Sequence, residues 1–321
     1  MSERAAVSTS IIGIMCASGA ALCFSLNDVG VKLLSGDYPL HQIVLVRSLF
    51  GITLTLGIFV PLDGGYAGLR TSKLHLHLMR GLCVVLANMA FFLGLAAMPL
   101  PEATAIFFVS PLIITVFSVI FLREKVGPMR WAAVGVGLAG AVIMLRPGTD
   151  SFHWAAVLPL IAAFGYAGLN ILTRKIGIAD RASTMAFYLQ VVFIAVSSLI
   201  GLTIGDGRHA GTGDPSLDFL FREWVWFTAG DLAIVAAIGC VGACGGYLIS
   251  QAYRVSEAAL IAPYEYLALI TAIIWGITIF GEWPDALAWL GIAVILCSGL
   301  FVMWREAVRN RQPPKTPRLR R

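Results

Sequence analysis

The stretch LPEATAIFFVSPLIITVFSVIFLREKVGPMRWAAVGVGLAGAVIML (100–145) is written a second time, in diverged form, as VSEAALIAPYEYLALITAIIWGITIFGEWPDALAWLGIAVILCSGLFVMW (255–304). Glu102 matches Glu257, 155 positions on, and after a three-residue gap Glu124 matches Glu282, 158 positions on. Each copy holds two apolar runs joined by a short loop around a glutamate. Working outward, FSLNDVGVK (24–32) falls on YAGLNILTR (166–174) at an offset of 142, which sets Asp28 on Asn170 and Lys32 on Arg174. The offset then grows by 13 residues across the loop at 206–229. The chain is therefore one unit of about half its length, written twice.

Composition says in what solvent that unit folds. Hydrophobic residues make up 58% of the 321, charged residues only 13%, and the mean hydropathy is +0.84, whereas a soluble domain carries about 25% charged residues. A spanning helix needs about 20 predominantly apolar residues. Ten stretches qualify: 11–35, 42–62, 75–97, 101–122, 129–146, 154–174, 183–205, 230–253, 256–281 and 285–305. Five spans per copy is an odd number, so the second copy must insert upside down. The expected fold is an all-α polytopic membrane protein of ten transmembrane helices, arranged as two inverted five-helix repeats. These would be 11–146 and 153–305, between an N-terminal cytoplasmic segment (1–10) and a basic, disordered cytoplasmic tail (306–321).

Charge sets the orientation. With the N-terminus in the cytoplasm, 18 Lys and Arg side chains fall on the cytoplasmic side, Arg70, Lys73 and Arg80 among them, and five on the outer side: Lys32, Arg47, Arg146, Arg208 and Arg222. That asymmetry is the positive-inside signal, and it places both termini in the cytoplasm, in the cell (inner) membrane. The tail from Arg305 holds seven basic residues and one acidic residue; without it the chain has 16 basic against 17 acidic. The basic character is thus local to the tail, which suits anionic lipid headgroups rather than nucleic acid. The first apolar run is too long for a cleaved signal peptide and is expected to stay in the protein.

Other groups read quietly. All six cysteines (Cys16, Cys23, Cys83, Cys240, Cys244, Cys297) fall in apolar spans, as small hydrophobes do, and His75 and His77 read as two exposed histidines at a cytoplasmic helix start, so no metal and no cofactor is expected. In the 206–229 loop, Leu217, Leu220, Phe221 and Trp224 share one helical face with Asp218 and Arg222 opposite, the pattern of an anchor in the outer interface. Gly135, Gly137, Gly140 and the Gly291–Gly299 stretch predict close packing of the fifth and tenth helices, with a homodimer face as the alternative.

Polar side chains inside spans are costly and mark cavities or partners. Asp28 and Arg47 lie at similar depth and are read as an ion pair, with Lys32, one turn from Asp28, as a second partner. The group Asp28, Lys32 and Arg47 binds or gates substrate at an outer vestibule, or fixes helix packing. Glu265 lies nine residues into helix nine, flanked by Tyr264 and Tyr266 and preceded by Pro263; a carboxylate among aromatic rings suits a cationic group. Asn88, Tyr166, Asn170, Tyr247 and Gln251, with Gln190, add neutral donors and acceptors that would line a polar cavity.

These features together resemble the drug/metabolite transporter superfamily, EamA type: the doubled five-helix pattern, Arg47 in helix two, the glutamates of FLREK and FGEWPD, and Gly-rich fifth and tenth helices. Within it, SLNDVGVKLL, VLVRSLF, LMRGL and APYEYLAL followed by FGEWPD resemble the branch of S-adenosylmethionine uptake transporters. The resemblance implies a secondary transporter of a small polar metabolite, amino-acid-like, amine-like or S-adenosylmethionine-like, working by alternating access between repeats. Flipping of a lipid-linked metabolite is the nearer alternative, and a non-transport membrane protein the more distant one. No Walker loop and no Ser/His/Asp arrangement is present, so an enzyme is not expected.

Overall fold

The computed structural model describes residues 3–123, 126–149, 153–176, 180–255 and 264–310. Glu124, Lys125, Glu257 and Pro263, singled out above, lie outside the described residues, as do the side chain of Arg174 and the tail from 311. Every regular element among the described residues is helical: α1 (Glu3–Leu34), α2 (Leu40–Leu54), α3 (Leu74–Ala97), α4 (Leu100–Phe107), α5 (Ser110–Leu122), α6 (Pro128–Leu145), α7 (Val157–Ile176), α8 (Ala182–Ile204), α9 (Pro215–Phe221), α10 (Ala229–Val255), α11 (Leu267–Phe280) and α12 (Ala286–Asn310). Eight stretches are long and apolar enough to cross a membrane, and Leu267–Phe280 and Ala286–Val302 are shorter apolar helices. Large apolar side chains such as Met15, Ile120 and Leu202 stand exposed on these helices, the pattern expected where lipid is the solvent. The chain is a multi-pass membrane protein.

Three details depart from the sequence reading. The fourth span is two helices, because Pro111 has no N–H to give the Phe107 carbonyl and its ring crowds it; the chain turns at Phe108 and Val109 and restarts at Ser110. The second span carries a π-helical turn at Thr55–Phe59 before ending at Leu62. Helix α1 begins at Glu3 and α12 runs to Asn310, so regular helix reaches into both terminal segments.

Helix ends recur at the sequence offsets. Helix α1 ends at Leu34 and α7 at Ile176, while α2 begins at Leu40 and α8 at Ala182, both 142 positions on. Helix α3 begins at Leu74 and α10 at Ala229, 155 on, and α6 begins at Pro128 and α12 at Ala286, 158 on. Helices α5 and α11 both stop on a left-handed residue, Arg123 (φ 56°) and Gly281 (φ 67°), again 158 apart. Glycine takes that conformation freely, whereas an arginine there costs about 1–2 kcal/mol.

Packing follows the same pairing: α1 lies along α10 as α3 lies along α7, α2 packs on α8, and α6 packs on α12. Glycine makes the last contact close. A Cβ on Gly137 would meet Ser298 Oγ at 2.6 Å, and one on Gly140 would meet Ile295 at 2.9 Å. Gly137, Gly140, Gly291 and Gly299 therefore pack within the chain, whereas Gly135 faces open space. The buried interior divides into one apolar cluster around Phe92, Leu95 and Phe219 and another around Ile106, Leu112, Leu269 and Ile295.

Candidate functional site

Sequence-selected polar residues lie at several levels along the helices. At the end where α1 stops and α4 starts, Lys32 Nζ meets Glu282 Oε1 at 2.5 Å and donates to the Met98 carbonyl at 2.9 Å, while Glu282 Oε2 accepts from the Leu100 N–H at 2.8 Å. Glu282 thus ties α1, the α3–α4 turn and the α11–α12 loop together and satisfies a first-turn donor of α4, a place where a carboxylate is favoured. Lys32 is partnered by Glu282, not Asp28. The repeat alignment marked Glu282, but its partner comes from the other half, which no local pattern reveals.

Beside this latch a cavity of about 190 Å³ is lined by Met98, Pro99, Glu102, Arg146, His153 and Asp285 among others. Arg146 Nη2 contacts both Asp285 oxygens, at 2.5 and 2.6 Å. Those hydrogen bonds, with the Ala288 N–H, hold the Asp285 carboxyl below its ordinary value. The 206–229 loop closes over the same end. Arg222 donates to the Ser35 carbonyl (2.9 Å), Gln42 to that of Val225 (2.6 Å), and Tyr38 to Asp231 (2.7 Å). Asp214 caps α9, whose Ser216 and Phe219 turn inward, Ser216 Oγ reaching the Leu93 carbonyl at 2.7 Å. The loop docks on protein through those two residues; of the face expected in the outer interface, Leu217, Leu220 and Phe221 are half-buried and Trp224 is exposed.

Deeper in, Arg47 is buried at 8% exposure. It is not ion-paired to Asp28. Its Nη1 donates to Asn27 Oδ1 at 2.9 Å and its Nη2 to Asn88 Oδ1 at 2.5 Å, while the guanidinium carbon lies 5.2 Å from the Phe92 ring centre and 5.6 Å from that of Phe193. Asn27 stands between Arg47 and Asp28, giving its own amide to Asp28 Oδ1 at 3.3 Å. Helical geometry explains the exchange: Asn27 and Asp28 point about 100° apart on α1, and it is Asn27 that faces α2. Asn27 lay in the quoted SLNDVGVKLL but carried no charge to draw the eye.

A run of rings leads from there: Phe92 packs on Phe91 (5.4 Å), Phe91 on Phe107 (5.4 Å) and Phe107 on Tyr166 (5.3 Å). Tyr166 lies within electrostatic range of Glu265 and of Arg80. Arg80 was counted with the cytoplasmic loop charges; it lies inside α3, donating to Thr173 Oγ1 (2.9 Å) and to the Met185 carbonyl (3.1 Å). Asn170 gives its amide to the Tyr166 carbonyl at 2.9 Å. The two tyrosines beside Glu265 differ: Tyr264 is exposed, whereas Tyr266 is 3% exposed, packed 4.8 Å from Phe108 and against Gly299. Tyr266 is a core residue here.

Tyr247 and Gln251 sit toward the other end. Gln251 Nε2 donates to Tyr247 Oη at 2.8 Å, the Tyr247 ring stacks on Phe59 at 4.3 Å, and its hydroxyl reaches Asp63 at 3.5 Å. Asp63 also accepts from the Ser183 N–H at 3.1 Å. Nearby, His77 is buried rather than exposed, its Nε2 2.7 Å from Asp180 and its ring 4.9 Å from that of Tyr188. The start of α3 turns this residue onto α8 and the preceding loop. Burial acts to raise the Asp180 carboxyl, but hydrogen bonds from His77 and Thr71 outweigh it and hold the group below its ordinary value.

The EamA-like transporter family matches over residues 11–146. The chain is 30% identical over 308 residues to the riboflavin transporter of Rhizobium johnstonii, covering 95% of each chain, and 28% identical over 282 residues to the S-adenosylmethionine uptake transporter of Rickettsia prowazekii, covering 88% of this chain and 89% of that one. A solved crystal structure superimposes with a TM-score of 0.62 at 18% identity, over 94% of this chain and 99% of the other. The chain belongs to the EamA-like transporter family.

Proposed function

We propose that this chain is a secondary transporter that moves a small polar metabolite across the inner membrane by alternating access, built as ten spans in two inverted five-helix repeats, 11–146 and 153–305, with both termini in the cytoplasm. The observation that carries the reading is reciprocal packing. Gly137 meets Ser298 while Gly140 meets Ile295, and since 137 and 295, like 140 and 298, are 158 apart, each contact is the other with its halves exchanged, as a two-fold relation requires. Halves so related can rock against each other around a site between them.

That site takes in Arg47 with Asn27 and Asn88 at one level and Glu265 with Tyr166, Asn170 and Tyr264 at another. Tyr247 and Gln251 serve the cytoplasmic mouth, and Lys32 with Glu282 the outer one. The relatives are named for riboflavin and for S-adenosylmethionine. Saturable uptake of a soluble compound by purified protein in lipid vesicles, from a panel of S-adenosylmethionine, riboflavin, amino acids and amines, supports the reading. Translocation of a lipid-linked probe alone would replace it with a flippase.

A further inference from the structure

Resting on the transport reading, we infer that Arg47 is a subsite for an anionic group of the substrate, so that the transported metabolite carries a carboxylate. Arg47 begins its eighth position along α2 from Leu40, which at 1.5 Å per residue sets it roughly 10 Å into the span. A charge at such depth is costly, and arginine there demands compensation.

The compensation on the page is incomplete. A guanidinium has five N–H donors in a fixed fork. Two of them are taken, by the side-chain oxygens of Asn27 and Asn88, and the rest meet no acceptor among the described residues. Both acceptors are neutral amides, which aim the fork without cancelling its charge. Among the described residues no carboxylate stands at ion-pair distance: Asp28, bonded to Asn27, acts on the guanidinium only from longer range, and Glu282 belongs to Lys32. The guanidinium carbon lies over the Phe92 and Phe193 rings, and the N–H groups not taken by the two amides are left for a further acceptor. A planar carboxylate accepting two parallel N–H bonds is the ligand that geometry suits.

The rest of the site continues the pattern. The rings of Phe92, Phe91, Phe107 and Tyr166 run from Arg47 to the level of Glu265. An uncharged compound leaves the Arg47 fork unmet.

The test is competition against uptake in vesicles holding the full chain, using S-adenosylmethionine, L-methionine, L-methioninamide and riboflavin. The amide differs from its acid only in lacking the carboxylate. Charge-assisted hydrogen bonds contribute about 1.5–3 kcal/mol, so wild-type protein is expected to prefer methionine over methioninamide roughly 10- to 150-fold. Arg47→Gln should erase that preference, and Arg47→Lys, which keeps charge but not the fork, should keep part of it. The wild-type comparison needs no variant to fold. Equal competition by acid and amide, or a preference that survives Arg47→Gln, overturns the proposal. Uptake of riboflavin with no competition by the acids overturns it while leaving transport intact; uptake of nothing on the panel overturns both.

Discussion

The ring of Phe108 packs 4.8 Å from that of Tyr266, across 158 positions of the chain. Both residues mark a turn in the helical path of their span, Phe108 between α4 and α5 and Tyr266 just before α11. The contact joins the turn between α4 and α5 to the start of α11, two segments where backbone irregularity inside an apolar span has to be buried.

The first prediction tests the close contact of α6 and α12. A side chain on Gly137 collides with Ser298 and with Leu112, which is fully buried and has nowhere to move, whereas Gly135 faces open space. Gly137→Val should lower stability in detergent by about 1–3 kcal/mol through overpacking. Gly135→Val should stay within about 0.5 kcal/mol of wild type. Equal Tm values for the two variants would place the glycines away from an interface.

The outer latch gives a second. Lys32→Gln strips Glu282 of its counter-charge, and Glu282→Gln keeps an acceptor for the Leu100 N–H while losing the ion pair. A double-mutant cycle in thermal unfolding should show coupling above about 0.5 kcal/mol. Exchanging the two charges should recover only part of the loss, because a lysine at 282 cannot accept from Leu100. Additive losses would mean that the two act separately.

Much of this was legible in the chain itself. Repeat offsets of 142, 155 and 158 are fixed by which residues match, and helix ends obey them because the apolar runs recur at the same spacing, even though the end residues differ, Pro39 against Arg181 and Pro128 against Ala286. The pairings of charges were not legible. Lys32 finds Glu282 across 250 positions, and Arg47 finds Asn27 rather than the adjacent Asp28, because partner choice depends on which face of each helix meets its neighbour. Tyr266 and His77 mislead for a related reason: a polar side chain in sequence does not reveal that its ring packs in the core, or that an aspartate waits in the next loop.

The exposed pair Arg146 and Asp285 predicts a pH effect. The folded Asp285 carboxyl titrates below its ordinary 3.8, chiefly through Arg146. A depressed carboxylate contributes stability that is present above the unfolded value and is lost as pH falls through the folded one. Asp285→Asn should therefore lower Tm at pH 7 and make little difference once the pH is well below 3.8. A Tm difference that is the same at both pH values would contradict the assignment.

The most direct measurement is transport by Glu265→Gln beside wild type in the same vesicles, scored as net uptake and as exchange. The substitution preserves shape and removes the charge. If Glu265 meets a cationic group of the substrate, the apparent affinity for S-adenosylmethionine or another cationic compound should fall roughly 10- to 150-fold in both assays, with the amount of protein unchanged. Loss of gradient-driven accumulation with exchange intact would instead make Glu265 the proton carrier of the cycle. Wild-type uptake and exchange in the variant would contradict a substrate site at Glu265 altogether.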